Sequence, residues 1–180
     1  MKSFCIIPVK NLQGVKSRLS SILQPRDRGI LNLCMLEDVI ISVKASKSIY
    51  DIVVVSPDQE VIRAAGEMKV KTLRENREDG VNKAVLRATE FCIEEGANSS
   101  VILPSDIPLI KPLDIDNLLA IGDYGRSVVM TPSSKLDGTN ALFRCPPMVM
   151  KTFFMNCLRN KGIGLGNYPT VMPSLRWWGF

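Results

Sequence analysis

Phe4-Cys5-Ile6-Ile7-Pro8-Val9 is an unbroken apolar run, and the residues from Lys10 to Ser20 are almost its opposite. A short run without polar alternation fits a strand buried on both faces, as in the middle of a parallel sheet. From Pro25 the period changes. Ile30, Leu33, Leu36, Val39, Ile40 and Val43 recur at helical spacing and Pro25 suits a first turn, which predicts a helix from about Pro25 to Ala45 lying over one face of the sheet. Asp51-Ile52-Val53-Val54-Val55 reads as a second buried strand. Ser56-Pro57-Asp58 can then cap and open a helix from about Gln59 to Met68.

The alternation continues to residue 145. Lys69 to Leu73 reads as a short extended piece, Arg74 to Asp79 as a loop, and Val81 to Glu95 as a helix that ends at Gly96. Val101-Ile102-Leu103 is the next strand and Leu113 to Ile121 the next helix. Ser127 to Thr131 and Ala141 to Phe143 are the last strands, joined by a loop from Pro132 to Asn140. Strands alternating with helices at this interval build βαβ units, so the expected fold class is α/β with a mainly parallel sheet. No internal repeat and no low-complexity linker divides the chain, and residues 1–180 are expected to form one domain.

Composition narrows the function classes. With 180 residues, 46% hydrophobic and 23% charged, the chain is ordinary for one globular domain with a sizeable core. No stretch approaches the ~18 to 20 apolar residues that cross a bilayer, and the start has no signal-peptide layout, so a cytoplasmic protein is expected. Five cysteines at wide spacing, with no Cys-x-x-Cys pair and no histidine, argue against a disulfide framework and against zinc. Most of them read as small core hydrophobes. The net charge of +5 is spread along the chain without a basic cluster, so it counts against a nucleic-acid footprint and mildly for small anionic substrates.

Four stretches carry candidate chemistry. Lys10, Gly14, Lys16, Ser17 and Arg18 follow the first strand, and the crevice beyond the carboxyl ends of such strands is where ligands bind; a loop so rich in cations and small polar groups suits a phosphorylated one. Asp106 follows a buried strand between Pro104 and Pro108, a rigid way to hold a carboxylate toward a divalent cation; it is equally the chemistry of a capped turn. Gly80-Val81-Asn82-Lys83-Ala84 opens a helix, where backbone N–H groups and Asn82 can meet an anion or a base edge or simply start the helix. Asp137-Gly138-Thr139-Asn140 offers a hydroxyl and an amide to phosphate or carboxylate oxygens, or is a structural turn.

Together with Lys16-Ser17-Arg18-Leu19 and Met35-Leu36-Glu37-Asp38-Val39, these stretches occur in the order and rough spacing of the 2-phospho-L-lactate guanylyltransferase family, which the chain resembles over about residues 4–145. The resemblance implies a single-domain Rossmann-like mixed, mainly parallel sheet flanked by helices, like that of nucleotide-diphospho-sugar transferases. It implies transfer of GMP from GTP to 2-phospholactate, giving lactyl-diphospho-guanosine and pyrophosphate in the biosynthesis of coenzyme F-420 in archaea and some bacteria. Related members use phosphoenolpyruvate or 3-phosphoglycerate.

Carried onto this chain, the resemblance assigns Lys10, Lys16 and Arg18 to the triphosphate and the departing pyrophosphate and Asp106 to Mg²⁺. Pro8, Val9, Lys10, Ser17, Arg18, Gly80, Asn82 and Ser105 then surround the nucleotide, and Gly138, Thr139 and Asn140 meet the acceptor. The implied partners are GTP and a small phosphorylated carboxylic acid, with a homodimer as the assembly and neither nucleic acid nor membrane.

The chain departs from the family pattern near its end. From Met155 onward it has no Asp or Glu, so the carboxylate pair that completes the family's metal site has no counterpart. Gly162, Gly164 and Gly166 are spaced like a phosphate loop but no helical pattern follows them. Two other readings stay open: a nucleotidyltransferase using CTP or a sugar phosphate, and a nucleotide-binding protein without turnover.

Overall fold

A computed structural model describes residues 1–12, 19–76, 79–122, 125–132 and 138–150, with the backbone of 170–171. The elements follow in the order β1 (Ser3–Pro8), α1 (Pro25–Lys44), β2 (Asp51–Ser56), α2 (Gln59–Glu67), β3 (Lys71–Arg74), α3 (Val81–Glu94), β4 (Ser99–Ile102), α4 (Pro112–Gly122), β5 (Ser127–Pro132), β6 (Thr139–Cys145) and β7 (Thr170–Val171). They build one sheet in the order β3-β2-β1-β4-β6-β5-β7. β1 to β4 are mutually parallel, and β6 runs antiparallel to both β4 and β5. The expectation of an α/β fold with a mixed, mainly parallel sheet holds.

Strand alternation divides the core into two layers. Cys5 and Ile7 of β1 and Ile52 and Val54 of β2 face the layer that holds Leu36, Val39, Ile40 and Val43 of α1, Val61 and Ala65 of α2, and Ile115, Leu118 and Leu119 of α4. Phe4, Ile6, Val53 and Val55 face the opposite layer, where Ala84, Val85, Ala88 and Cys92 of α3 close over them. α4 ends against the sheet so closely that a Cβ on Gly122 would lie 2.1 Å from Cε1 of Phe143.

Several expectations need correction in detail. Ile30, counted on the apolar face of α1, is half exposed, because the inward stripe of the helix's first turns belongs to Arg28, Gly29 and Asn32 instead. β4 begins earlier than Val101: Ser99 and Ser100 are buried strand residues, and Ser99 meets Ser3 through their hydroxyls at 2.7 Å. β6 is longer than its apolar centre, since pairing with β5 carries it back to Thr139 and forward past Arg144. Thr139 and Asn140 therefore belong to a strand and not to the preceding loop. Among the four described cysteines, which are all free thiols, Cys5 and Cys92 are core residues but Cys34 is exposed and Cys145 half-buried. Among the described residues no helix is long and apolar enough to cross a membrane.

Candidate active site

Because β1 to β4 are parallel, their carboxyl ends share one edge of the sheet, and the reversed β6 brings its amino end, Thr139 and Asn140, to that same edge. Such an edge is where ligands of open α/β sheets gather. Lys10 leaves β1 here, Gly80 opens α3, Ser105 and Asp106 follow β4, and Thr139 starts β6.

The loop that leaves β1 is held at two points. Val9 is buried and donates its N–H to the Val55 carbonyl at 2.9 Å, and Leu12 is buried and donates its N–H to Oδ2 of Asp58 at 2.9 Å. Lys10 and Asn11 stand between these anchors, with Lys10 exposed. A long flexible side chain is thus carried on a fixed stub, which lowers the entropy lost when its ammonium meets an anion.

Asp58 has a second task. Its Oδ1 accepts the Glu60 N–H at 2.9 Å as the N-cap of α2, and its own N–H donates to Oγ of Ser56 at 3.1 Å. The Ser56 carbonyl in turn accepts the Glu75 N–H at 3.0 Å. The connections after β1, β2 and β3 are cross-tied through these residues.

After β3 the buried Glu75 carboxylate pairs with Nη1 of Arg87 at 3.4 Å, while Nη2 of Arg87 lies 3.6 Å from Asp79 and Nζ of Lys83 lies 3.9 Å from the same carboxylate. This network holds the start of α3. Gly80, its N-cap, has φ +93°, ψ 152°, a region essentially confined to glycine, and a Cβ built there meets nothing within 4 Å. The first turn contains no acidic residue, and Gly80 brings no capping side chain. The leading N–H groups of the helix lie at its positive end, with the Lys83 N–H turned back to the Gly80 carbonyl at 3.1 Å. Phosphate oxygens or the carbonyl edge of a base suit that place.

β4 ends at Ile102, one residue short of the expected Leu103, which just beyond it donates its N–H to the Ile6 carbonyl at 3.0 Å. Ser105 beyond it is buried, and Asp106 is exposed in the turn between Pro104 and Pro108. Across the edge, Thr139 is buried with its hydroxyl donating to Sδ of Met130 at 3.7 Å.

Residues 3–160 match the family described as guanylyl transferase CofC like. The chain belongs to that family. Among its curated relatives, the phosphoenolpyruvate guanylyltransferase of Rubrobacter xylanophilus is 37% identical over 147 residues, covering 82% of this chain and 71% of the relative. The 2-phospho-L-lactate guanylyltransferase of Methanothermobacter thermautotrophicus is 34% identical over 183 residues, covering 97% and 79%. Solved structures agree on the fold. A Desulfovibrio desulfuricans protein described as a nucleotide-diphospho-sugar transferase superposes with a TM-score of 0.67 at 15% identity, covering 93% of this chain and 71% of its own. A nucleotidyl transferase from Methanothermobacter gives 0.62 at 16% identity, covering 88% and 80%.

Of the site residues expected in this guanylyl transferase, Pro8, Val9, Lys10, Gly80, Asn82, Ser105, Asp106, Gly138, Thr139 and Asn140 fall along the one carboxyl-end rim. The N–H of Val9 is engaged with the Val55 carbonyl. Lys16, Ser17 and Arg18 lie outside the described residues, as do Gly162, Gly164 and Gly166. No group of three or more Cys, Asp or Glu residues that could hold a metal is found among the described residues. Mg²⁺ is commonly bound by one or two carboxylates together with substrate phosphate oxygens and water, and Asp106 is an exposed carboxylate on this rim.

The sequence reading missed the link from Asp58 to Leu12 and the pairing of Glu75 with Arg87. Ser-Pro-Asp at a strand end announces a helix cap, but a contact across 46 residues leaves no local signal. Glu75 and Arg87 look like ordinary surface charges until β3 and α3 are brought side by side.

Proposed function

We propose that this guanylyl transferase moves GMP from GTP to the phosphate of a small phosphorylated carboxylic acid, 2-phospho-L-lactate or phosphoenolpyruvate, with release of pyrophosphate, and that it serves coenzyme F-420 biosynthesis. The observation that carries the proposal is the convergence of Lys10, the amino end of α3, Asp106 and Thr139 on one sheet edge in a chain of this family. The acceptor's phosphate, with a second pKa near ~6, is largely dianionic at pH 7 and can attack the α-phosphorus without a general base. The lack of histidine is therefore no obstacle. What the protein supplies is alignment and charge. Lys10, with Lys16 and Arg18, meets the triphosphate and the leaving pyrophosphate. Gly80 and Asn82 at the start of α3 hold the nucleotide, with Pro8, Val9, Ser17 and Ser105 around it. Gly138, Thr139 and Asn140 hold the acceptor. Asp106 would hold Mg²⁺, which neutralises charge on phosphate oxygens when bound.

The test is pyrophosphate release from GTP and Mg²⁺ with 2-phospholactate, phosphoenolpyruvate or 3-phosphoglycerate offered in turn, and with CTP replacing GTP. Release with one acceptor, absent with CTP and abolished in Asp106→Asn, is the expected result. Release with CTP and not GTP would point to a different nucleotidyltransferase. A second reading rests on the tail, which has no Asp or Glu from Met155 onward: a nucleotide-binding protein without transfer, for which GTP raises the melting temperature and no acceptor yields pyrophosphate.

A further inference from the structure

α1 is longer than the strands beneath it. Its 20 residues span about 30 Å at ~1.5 Å each, whereas the 6 residues of β1 span about 20 Å at ~3.3 Å each. The helix returns from the carboxyl end of β1 to start β2, so its first turns project over the rim of the site and its last turns cover the sheet.

Its inward stripe changes character where that happens. Leu36, Val39, Ile40 and Val43 are buried in the core, but one and two turns earlier the buried positions are Asn32 and Arg28. Arg28 is nine-tenths buried. Its one side-chain hydrogen bond among the described residues runs from Nη1 to the Leu23 carbonyl at 3.4 Å, and its buried Nε has no partner. Burying a guanidinium is costly unless charge and hydrogen bonds compensate it, and one long bond to a neutral carbonyl does little of that. Side chains of a helix lean toward its amino end, and Arg28 accordingly reaches back past the first turn to Leu23. The same turn of the helix lies beside the loop that carries Lys10 and Leu12, because a Cβ on the neighbouring Gly29 would lie 3.9 Å from Cβ of Leu12.

We infer that Arg28 is a further anion-binding residue of this site, whose guanidinium takes phosphate oxygens of the nucleotide's β- and γ-phosphates or of the pyrophosphate they become. A planar fork of N–H donors matches two phosphate oxygens at once, and the anion supplies the missing counter-charge. The inference rests on the guanylyltransferase reading, and it adds a cation from the helix to Lys10 of the loop.

Inorganic pyrophosphate is the probe, followed by calorimetric titration and by its effect on the melting temperature. Arg28→Met should bind pyrophosphate about tenfold to a hundredfold more weakly, the worth of a charge-assisted hydrogen bond, while its melting temperature without ligand stays level or rises. Arg28→Lys keeps the charge without the fork and should fall between the two, which preserves the test if the Met variant does not fold. Unchanged pyrophosphate affinity in either variant, with a lowered melting temperature, would make Arg28 a structural tether of Leu23 and overturn the inference while leaving the reading in place. Absence of pyrophosphate and GTP binding by the unsubstituted chain would instead remove the reading itself.

Discussion

The same substitution, glycine to alanine, should have opposite effects at three positions. Gly66 lies in the last turn of α2 with an ordinary helical backbone, and a Cβ there meets nothing within 4 Å. Alanine restricts the unfolded chain without straining the folded one, a gain of about 0.4–1 kcal/mol. Gly80 also has open space around it, but its φ is +93°, and holding a side chain in that region costs about 1–3 kcal/mol. Gly122 has no such backbone strain, yet its Cβ would sit 2.1 and 2.3 Å from Cε1 and Cδ1 of Phe143, far inside the ~3.5–4 Å of a carbon contact. Phe143 is fully buried against the sheet and has little room to move, so overpacking of about 1–3 kcal/mol or more follows. For a chain of this size each kcal/mol moves the melting temperature by roughly 2–4 °C. Thermal and urea unfolding should therefore place Gly66→Ala about 1–4 °C above the unsubstituted chain and Gly80→Ala about 2–12 °C below it. Gly122→Ala should fall as far or farther. Melting of Gly80→Ala at or above the parent value would refute the claim that the start of α3 needs glycine.

Three further outcomes can be checked independently. Burial, with the nearby Asp51 charge, pushes the Cys92 thiol up to about 12, and burial also raises Cys5; in the native protein iodoacetamide should label the exposed Cys34 and spare both, with labelling of Cys5 or Cys92 at the rate of Cys34 counting against the core placement. Burial alone would raise the Asp116 pKa, but hydrogen bonds from Ser46 and Ser48 and from the Ser48 and Lys47 backbones outweigh it and bring the value below normal. A depressed carboxylate stabilises the fold above its unfolded pKa of ~3.9 and loses that contribution as pH falls through the folded value, so the stability gap between the parent and Asp116→Asn should narrow from about pH 5 downward; a constant gap would refute the ionic part of the contact. Arg144 is fully buried, its pKa is lowered to about 10 chiefly by that burial, and its Nη2 donates to the Thr89 hydroxyl at 2.7 Å; Thr89→Val should cost about 1–3 kcal/mol in urea unfolding, and a neutral result would show that the bond contributes nothing.

The sheet was legible because buried parallel strands carry an unusual local pattern. Phe4 to Val9 and Ile52 to Val55 are continuous apolar runs, and their two faces fill two separate core layers. The same logic misplaced the ends of β4 and β6, where Ser99, Ser100, Thr139 and Arg144 are buried polar residues. Their burial depends on cross-strand partners, such as Ser3 for Ser99, that lie far away in sequence. Ile30 misled for a related reason. The buried stripe of the first turns of α1 is Arg28, Gly29 and Asn32, so hydrophobic spacing alone put the apolar face in the wrong place there. The site's charged and glycine-bearing segments were legible as types, since Lys10, Gly80 and Asp106 each stand where a strand hands over to a loop or a helix begins.

What makes those segments one site is a set of ties between them. Ser56 ends β2 between β3 and β1, accepting the Asp58 N–H on its hydroxyl and the Glu75 N–H on its carbonyl. Asp58 continues to Leu12, next to Lys10, and Glu75 continues to Arg87 of α3. A phosphate-bearing ligand that bridges Lys10 and the start of α3 would therefore span two supports that are already fixed to one strand end. The buried Glu75 and the half-buried Asp58 hold such supports more rigidly than exposed ion pairs do, because water and salt compete less for them. The cost of ordering the site is then met largely on folding, and less remains to be met when the nucleotide binds.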